Sequence, residues 1–157
     1  MEVTDNGPQP ASINLEQATR ENENYRTVAW TGHHLQLTLM SIPPGESIGL
    51  EAHPDTDQFL RLDAGQGRVT MGPTQDNLEF EQDVVDGWCV FVPAGTWHDI
   101  INTGAEDMRL YAIYAPVHHA AGRVHPTAAD AERDEDSGED VPPAWAVVPP
   151  QAPDQHA

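Results

Sequence analysis

The chain has 157 residues, with 26 acidic side chains, 7 basic ones and a formal net charge of −19 at pH 7. This length suits one domain with a sizeable core and is short for two. So strong a negative charge repels phosphate backbones and anionic lipid. We therefore expect a protein that binds neither nucleic acid nor membrane surfaces.

The composition also bears on the cellular environment. Every basic residue is an arginine, and an acidic, lysine-free chain predicts a halophilic protein, because salt screens the repulsion between carboxylates. An ordinary acidic protein with an acidic tail is the alternative. Cys89 has no internal partner and lies in an apolar run, so we expect it in the core of a protein from a reducing compartment. With no signal-peptide pattern and no run near the ~20 apolar residues of a membrane span, the chain is predicted to be cytoplasmic.

Residues 1–24 are expected to form an arm and a short helix. The first 11 residues are polar and contain two prolines, which indicates a loose arm. Ser12 is predicted to cap a helix over residues 13–20.

Residues 25–116 are predicted to form the folded domain. Short β-rich runs are separated there by Pro, Gly, Asp and Asn. The runs cover residues 26–31, 34–42, 47–53, 58–62, 67–71, 78–80, 88–92, 98–102 and 108–114. About nine strands spaced near ten residues apart, with no helical pattern between them, are typical of an all-β barrel or sandwich.

Residues 117–157 form a C-terminal extension in this prediction. A short helix is expected over residues 127–133. After residue 134 the sequence is first acidic and then rich in proline, which predicts disorder or a loosely docked tail. One small apolar cluster is available as an anchor: Trp145, Val147 and Val148.

Three potential metal ligands lie close together in the sequence. In an extended segment Glu51 and His53 point to the same face. Four turn-favouring residues, 54–57, then predict a hairpin. Gln58 starts its return strand as a near cross-strand neighbour of His53, with the two Cβ atoms about 5 Å apart. From this stretch alone, a solvated hairpin with an ordinary surface histidine is equally consistent with the pattern.

A second stretch adds a histidine from a distant part of the chain. An apolar strand reaches a Pro-Ala-Gly turn, and the returning strand carries His98 and Asn102 on one face. The spacing resembles the second motif of the cupin superfamily at five positions: Gly87, Pro93, Gly95, His98 and Asn102. The first cupin motif is matched in spacing by Gly45, Glu51, His53, Gln58 and Gly65. Two residues depart from that motif, since Glu51 replaces the usual first histidine and Gln58 the usual glutamate.

The resemblance implies an all-β fold, a single cupin jelly-roll β-barrel that holds a metal ion. Four motif positions would be the metal ligands: Glu51, His53, Gln58 and His98. Two imidazoles, a carboxylate and an amide oxygen then replace the usual three imidazoles and a carboxylate. This set suits a divalent Mn, Fe, Ni or Zn ion, with Gln58 as the weakest ligand.

The resemblance leaves the reaction open, because cupins perform many functions. A small-molecule ligand or substrate is expected, and a sugar-isomerase-like enzyme, a dioxygenase and a non-catalytic binding protein are the alternatives. Glu51, His118 and His119 are the candidate catalytic residues. Few cations are available for a phosphorylated substrate, mainly Arg68 and Arg109, which favours a neutral or weakly acidic one. Family analogy also predicts a homodimer that pairs through strand edges.

Overall fold

This computed structural model describes residues 3–146, which form nine strands and two α-helices. The strands are β1 (Arg26–Thr31), β2 (Gln36–Ile42), β3 (Asp57–Ala64), β4 (Gln66–Gly72), β5 (Phe80–Val85), β6 (Cys89–Val92), β7 (Trp97–Asn102), β8 (Met108–Ala115) and β9 (Val124–His125). The helices are α1 (Leu15–Glu21) and α2 (Ala128–Asp136), and one 3₁₀ turn covers Ala144–Ala146. The predicted all-β class with a short N-terminal helix is confirmed.

Two antiparallel sheets enclose the core. One has the strand order β6-β3-β8-β2-β1-β9 and the other the order β5-β4-β7. Alternation along β3 turns Leu60 and Leu62 inward, opposite Ala112 and Leu110 of β8. All four are fully buried, and apolar side chains of β4 and β7 pack against them from the other sheet. The interior between the two sheets therefore holds the apolar core together with the polar side chains that point inward from the strands.

Some strands differ from the sequence prediction. Residues 47–53 were expected as a strand of a hairpin, but they form only isolated bridges. These bridges join Ser47 to Ile101 and Glu51 to His98, so the segment pairs with β7 and not with β3. The strand predicted at residues 78–80 lies instead at Phe80–Val85, and the short β9 adds a pairing with β1 beyond residue 116.

The prediction that Cys89 is a core residue is wrong. Cys89 is exposed, because alternation along the edge strand β6 turns Val90 and Val92 inward and leaves Cys89 and Phe91 on the outer face. An apolar run thus lies half-buried at the edge of the larger sheet.

The N-terminal arm is attached to the barrel along its described part. Asp5 accepts hydrogen bonds from the backbone and hydroxyl of Thr31 at 3.0 and 2.6 Å. Helix α1 begins after Asn14, whose side chain caps it, and not after Ser12 as predicted. The helix covers part of the outer face of the larger sheet. Neither helix within residues 3–146 combines the length and the apolar content that a bilayer span requires.

The C-terminal extension is ordered further than the sequence suggested. Thr127 caps α2, which continues three residues beyond the predicted end at 133. Residues 134–146, which were expected to be disordered or loosely docked, follow a defined path over the barrel because polar contacts hold them. Asp140 accepts hydrogen bonds from His119 and from the backbone of Ala120, each at 2.8 Å. The proposed anchor residues Val147 and Val148 lie outside the described residues.

Trp145 does contact the barrel. Its carbonyl accepts a hydrogen bond from His33 at 3.1 Å, and the two rings meet edge to face at 5.6 Å. Ala146, the next residue, is buried. The 3₁₀ turn that carries them therefore lies against the barrel.

Candidate metal centre

Backbone pairing fixes two of the predicted ligands relative to each other. Glu51 and His98 exchange both of their backbone hydrogen bonds, at 3.1 and 2.9 Å. Directly opposed residues of an antiparallel pair place their side chains on the same face. The pairing of residues 47–51 with β7 therefore brings Glu51 beside His98.

The turn of the second motif fixes His53. Gly95 adopts a φ of 82°, a left-handed conformation that glycine adopts without steric cost, and its N–H donates to the carbonyl of His53 at 2.8 Å. The two sequence motifs are thus joined by a hydrogen bond between their backbones. This contact holds His53 close to the start of the strand that carries His98.

Glu51, His53 and His98 converge on one point in the barrel. Their ligand atoms all lie within 4.8 Å of one another. His98 is 1% exposed and His53 6%. The Nε2 atoms of both rings are buried without a hydrogen-bond partner. Glu51 Oε1 is 3.2 Å from His53 Nε2, but the two atoms are not aligned as a hydrogen bond.

The tautomer of His98 suits a metal ligand. Its Nδ1 lies 3.0 Å from the carbonyl of Thr96, which can only accept a hydrogen bond, so Nδ1 carries the proton. Nε2 then presents a lone pair toward the other two side chains. Burial lowers the pKa of His98, which keeps the ring neutral near pH 7. The lone pair of His98 Nε2 is buried and accepts no hydrogen bond, and a bound cation would supply the missing interaction.

Glu51 supplies the negative charge of the centre. Burial alone would raise its pKa, but contact with His53 and the positive charge of Arg26 outweigh the effect of burial and lower it. Glu51 is therefore ionised near neutral pH. The three side chains together form a two-histidine, one-carboxylate set, which fits a divalent ion.

Gln58 faces the same interior from β3, but not as the sequence analysis expected. It is paired with Tyr114 and Val92 and not with His53, because residues 54–57 do not close a two-stranded hairpin. Gln58 is 4% exposed, and its Oε1 is buried without a partner. Tyr114 connects it to the centre, since the ring of Tyr114 is 5.9 Å from that of His53.

The two neighbouring histidines have different surroundings. The ring centroid of His118 lies 4.0 Å from that of His53. Burial, with the nearby His119 and His53, lowers the pKa of His118 to about 3, so its ring is neutral near pH 7. His119 instead donates from Nδ1 to Asp140, which ties it to the C-terminal segment. His118 is thus the better placed of the two for chemistry at the centre.

A cavity of about 470 Å³ opens beside His53 and His118. Pro54 and Thr56 line it from the loop before β3, and Pro142 and Ala146 line it from the C-terminal segment. A volume in this range accommodates a small metabolite. The extension that the sequence analysis treated as a tail therefore forms part of the wall around the candidate site.

Arg26 was not predicted as a site residue, although its positive charge acts on Glu51. Arg68 pairs with Glu81 and Asp83 at the surface, and Arg109 donates to backbone carbonyls beside α1. Arg26, in contrast, is 7% exposed. It is the first residue of β1, so the preceding loop gave no alternation that would reveal which face its side chain occupies.

Comparisons with known proteins agree with this architecture. The sequence model described as "Cupin domain" matches residues 38–114. The uncharacterized protein YrkC of Bacillus subtilis is 52% identical over 134 residues, which cover 85% of this chain and 72% of that protein. The uncharacterized protein L612 of Acanthamoeba polyphaga mimivirus is 40% identical over 113 residues, or 71% and 69% of the two chains.

A solved structure extends the similarity to three dimensions. The crystal structure of BH2720 from Bacillus halodurans is 53% identical to this chain and superposes with a TM-score of 0.82, covering 83% of this chain and 99% of that one. With the two spaced motifs and the two-sheet barrel, these similarities show that the chain belongs to the cupin superfamily.

Proposed function

We propose that the protein is a metal-dependent enzyme that acts on a small oxygenated metabolite in the manner of a sugar isomerase. One observation carries the metal site: His53 Nε2 and His98 Nε2 are buried and unpartnered beside the Glu51 carboxylate. Burying two ring nitrogens without hydrogen bonds is costly. A divalent ion coordinated by these side chains would offset that cost, with Gln58 Oε1 as a fourth ligand.

A bound ion would polarise a carbonyl or hydroxyl oxygen of the substrate. Proton transfer between adjacent carbons then requires a nearby base. His118 has the required position, since its ring is in contact with that of His53 and borders the cavity. Burial keeps its imidazole neutral near pH 7, so its lone pair is free to accept a proton, but a pKa of about 3 makes it a weak base; Glu51 is occupied as a ligand.

The C-terminal segment has a role in this proposal. Pro142 and Ala146 close one side of the cavity, and the contact between Asp140 and His119 holds the segment in place. A closed wall limits access of water to the substrate, and exclusion of water strengthens electrostatic interactions inside the site. Residues 137–146 are therefore expected to support turnover without contacting the metal.

A dioxygenase is the second candidate, because Glu51, His53 and His98 form a two-histidine, one-carboxylate set. The two reactions differ in their requirements. An isomerase retains activity with zinc and without O₂, whereas a dioxygenase consumes O₂ and needs a redox-active metal. Rates of O₂ uptake and of aldose–ketose interconversion, measured for the zinc- and iron-loaded protein, separate the two.

Metal binding is tested first and directly. We expect protein produced in medium supplemented with Mn, Fe, Ni and Zn to retain one of these ions, and chelator-treated protein to take one up in a calorimetric titration. Removing an inner ligand in His98→Ala should weaken affinity by about 100-fold or more, since even outer-shell changes cost 10–100-fold. His34→Ala, which removes an exposed histidine, is the matched control. Wild-type protein that neither retains nor takes up metal would refute the proposal.

A further inference from the structure

Arg26 is a buried cation inside the barrel. It is paired across β1 with Met40 of β2 and with His125 of β9, both of which are buried. Directly paired residues share a face of the sheet, so Arg26 points inward. Its Cζ lies 5.4 Å from the ring centroid of Tyr25, whose hydroxyl donates to the carbonyl of Ile48 at 2.9 Å, in the segment that carries Glu51. The positive charge of Arg26 also acts on Glu51 and on Tyr114.

The Arg26 guanidinium has no anionic partner among residues 3–146. Its Nε is buried without a hydrogen bond, and no carboxylate in the described part of the chain forms an ion pair with it. Two carboxylates, Glu51 and Asp140, act on the charge of Arg26, and neither forms an ion pair with it. Asp140 accepts from His119 and Ala120, and Glu51 belongs to the candidate metal centre with His53 and His98. The face of Tyr25, 5.4 Å from the Arg26 Cζ, is the group that partly compensates the charge.

An unpaired arginine beside a cation site is unfavourable in itself. A buried charge without a partner is costly, and a divalent ion near one carboxylate leaves the centre with a net positive charge that repels Arg26. An anion bound between them would relieve both. We propose that Arg26 binds the carboxylate of the metabolite held at the metal centre, so that the substrate is a small hydroxy or keto acid. This inference rests on the proposed function and specifies its substrate class.

A carboxylate fits this environment better than a phosphate. One planar guanidinium matches one carboxylate through two parallel hydrogen bonds. A phosphate near neutral pH carries close to two negative charges, and the other arginines considered for it, Arg68 and Arg109, are already engaged at the surface. Glu51 would also repel a dianion more strongly than a monoanion.

The experiment compares ligands that share hydroxyl groups and differ in charge. Binding of glycerate, glycerol and inorganic phosphate is measured by calorimetry on metal-loaded and on metal-free protein. The variants are Arg26→Met, Arg26→Lys and, as a matched control, Arg61→Gln, which removes an exposed arginine from β3. Arg26→Met should fold with an unchanged or higher melting temperature, because an apolar side chain replaces an unpaired buried charge. A purely structural arginine would instead leave a less stable variant.

We expect glycerate to bind the wild-type protein at least about 10-fold more tightly than glycerol, and Arg26→Met to lose about 10- to 100-fold of that affinity. Arg26→Lys should lie between the two, and Arg61→Gln should match the wild type. Equal glycerate affinity in wild type and Arg26→Met, or no preference for glycerate over glycerol, would overturn the proposal. Tighter binding of phosphate than of glycerate would overturn the carboxylate assignment.

The metal titration is a separate readout. If metal binds and Arg26→Met leaves glycerate binding intact, the proposed function stands and this inference fails. If no metal binds, the proposed function fails, and the comparison of glycerate with glycerol on metal-free protein still decides the role of Arg26.

Discussion

Gln58 occupies a position at which cupins usually carry a glutamate, and its amide oxygen is buried without a partner. A neutral ligand lowers the cost of the metal-free state, because two carboxylates in one buried site repel each other. In the proposed metal centre, the exchange therefore favours a protein that stays folded without the ion. It also weakens the hold on the ion.

Replacing Gln58 by glutamate should lower the stability of the metal-free protein and strengthen metal binding. We expect Gln58→Glu to lower the free energy of unfolding of the metal-free protein by about 1–3 kcal/mol, through burial of an unpaired charge. Addition of Mn or Zn should then raise the melting temperature more than it does for the wild type. Denaturant unfolding with and without metal measures both effects. Gln82→Glu, at an exposed position of β5, is the control, and equal metal-free stability for Gln58→Glu and wild type would contradict the expectation.

His119 makes stability depend on pH. Burial, followed by the charge of Arg26, lowers its pKa despite the opposing effect of Asp140. Near pH 7 the His119 ring is neutral in both the folded and the unfolded state. Below about pH 6.5 the unfolded state binds a proton that the folded state does not, so the free energy of unfolding falls as pH falls. The groups around its ring that carry or acquire charge come from several elements: Arg26, Glu51, Tyr114, His118 and Asp140.

Through this one histidine, the free energy of unfolding should fall by at most about 1.4 kcal/mol per pH unit. His119→Gln should flatten the pH dependence of the unfolding midpoint between about pH 6.5 and 5, whereas His34→Gln, at an exposed position, should leave it unchanged. An unaltered slope in His119→Gln would show that another group causes the pH dependence of stability. Asp140, whose own pKa is lowered, adds a further loss of stability only below about pH 4.

At the scale of secondary-structure elements, β6 is an unprotected edge. It ends the larger sheet, and Phe91 on its outer face is 69% exposed beside Phe59 of β3, with the two rings 5.2 Å apart. Exposed edges with apolar side chains favour pairing with another chain. We propose that a second copy of the protein covers this strand.

The proposed homodimer is tested by sedimentation. Wild-type protein should sediment as a dimer, and Phe91→Glu as a monomer, because a charge would be buried in the interface. Phe80→Glu, which alters an exposed aromatic residue of the other sheet, should remain dimeric. A monomeric wild type, or a dimeric Phe91→Glu, would refute pairing through β6.

How far the sequence predicts these elements depends on whether the signal is local. The spacing of His98 and Asn102 and the turn at Gly95 depend on neighbouring residues, and the structure has the same arrangement. The pairing partner of residues 47–53 is set by a strand some 50 residues away, so local turn residues suggested the wrong partner. The inward face of Arg26 likewise depends on its pairing with β2 and β9. Cys89 shows that an apolar run at a sheet edge is buried on only one face.

For the whole molecule, the dominant quantity is charge. A net charge of −19 destabilises the compact state by self-repulsion, and salt screens that repulsion within a few tenths molar. We expect the melting temperature to rise by at least about 5 °C, which for a chain of this length is roughly 1.5–2 kcal/mol, between dilute buffer and molar KCl. Most of the rise should occur at low salt, because screening saturates. An uncharged osmolyte provides the control, and equal stability in dilute and molar KCl would reject halophilic adaptation.

The paired hydrogen bonds between Glu51 and His98 have one more consequence. They form a closed backbone ring, so the spacing of these two side chains is independent of the loop that follows. His53 sits outside that ring and depends on its contact with Gly95. Insertions in residues 54–56 should therefore leave two of the three donors, Glu51 and His98, in place and reposition only His53. The proposed metal centre thus has one fixed pair of candidate ligands and one adjustable candidate, and the length of the loop over residues 54–56 would tune the size of the ion that it accepts.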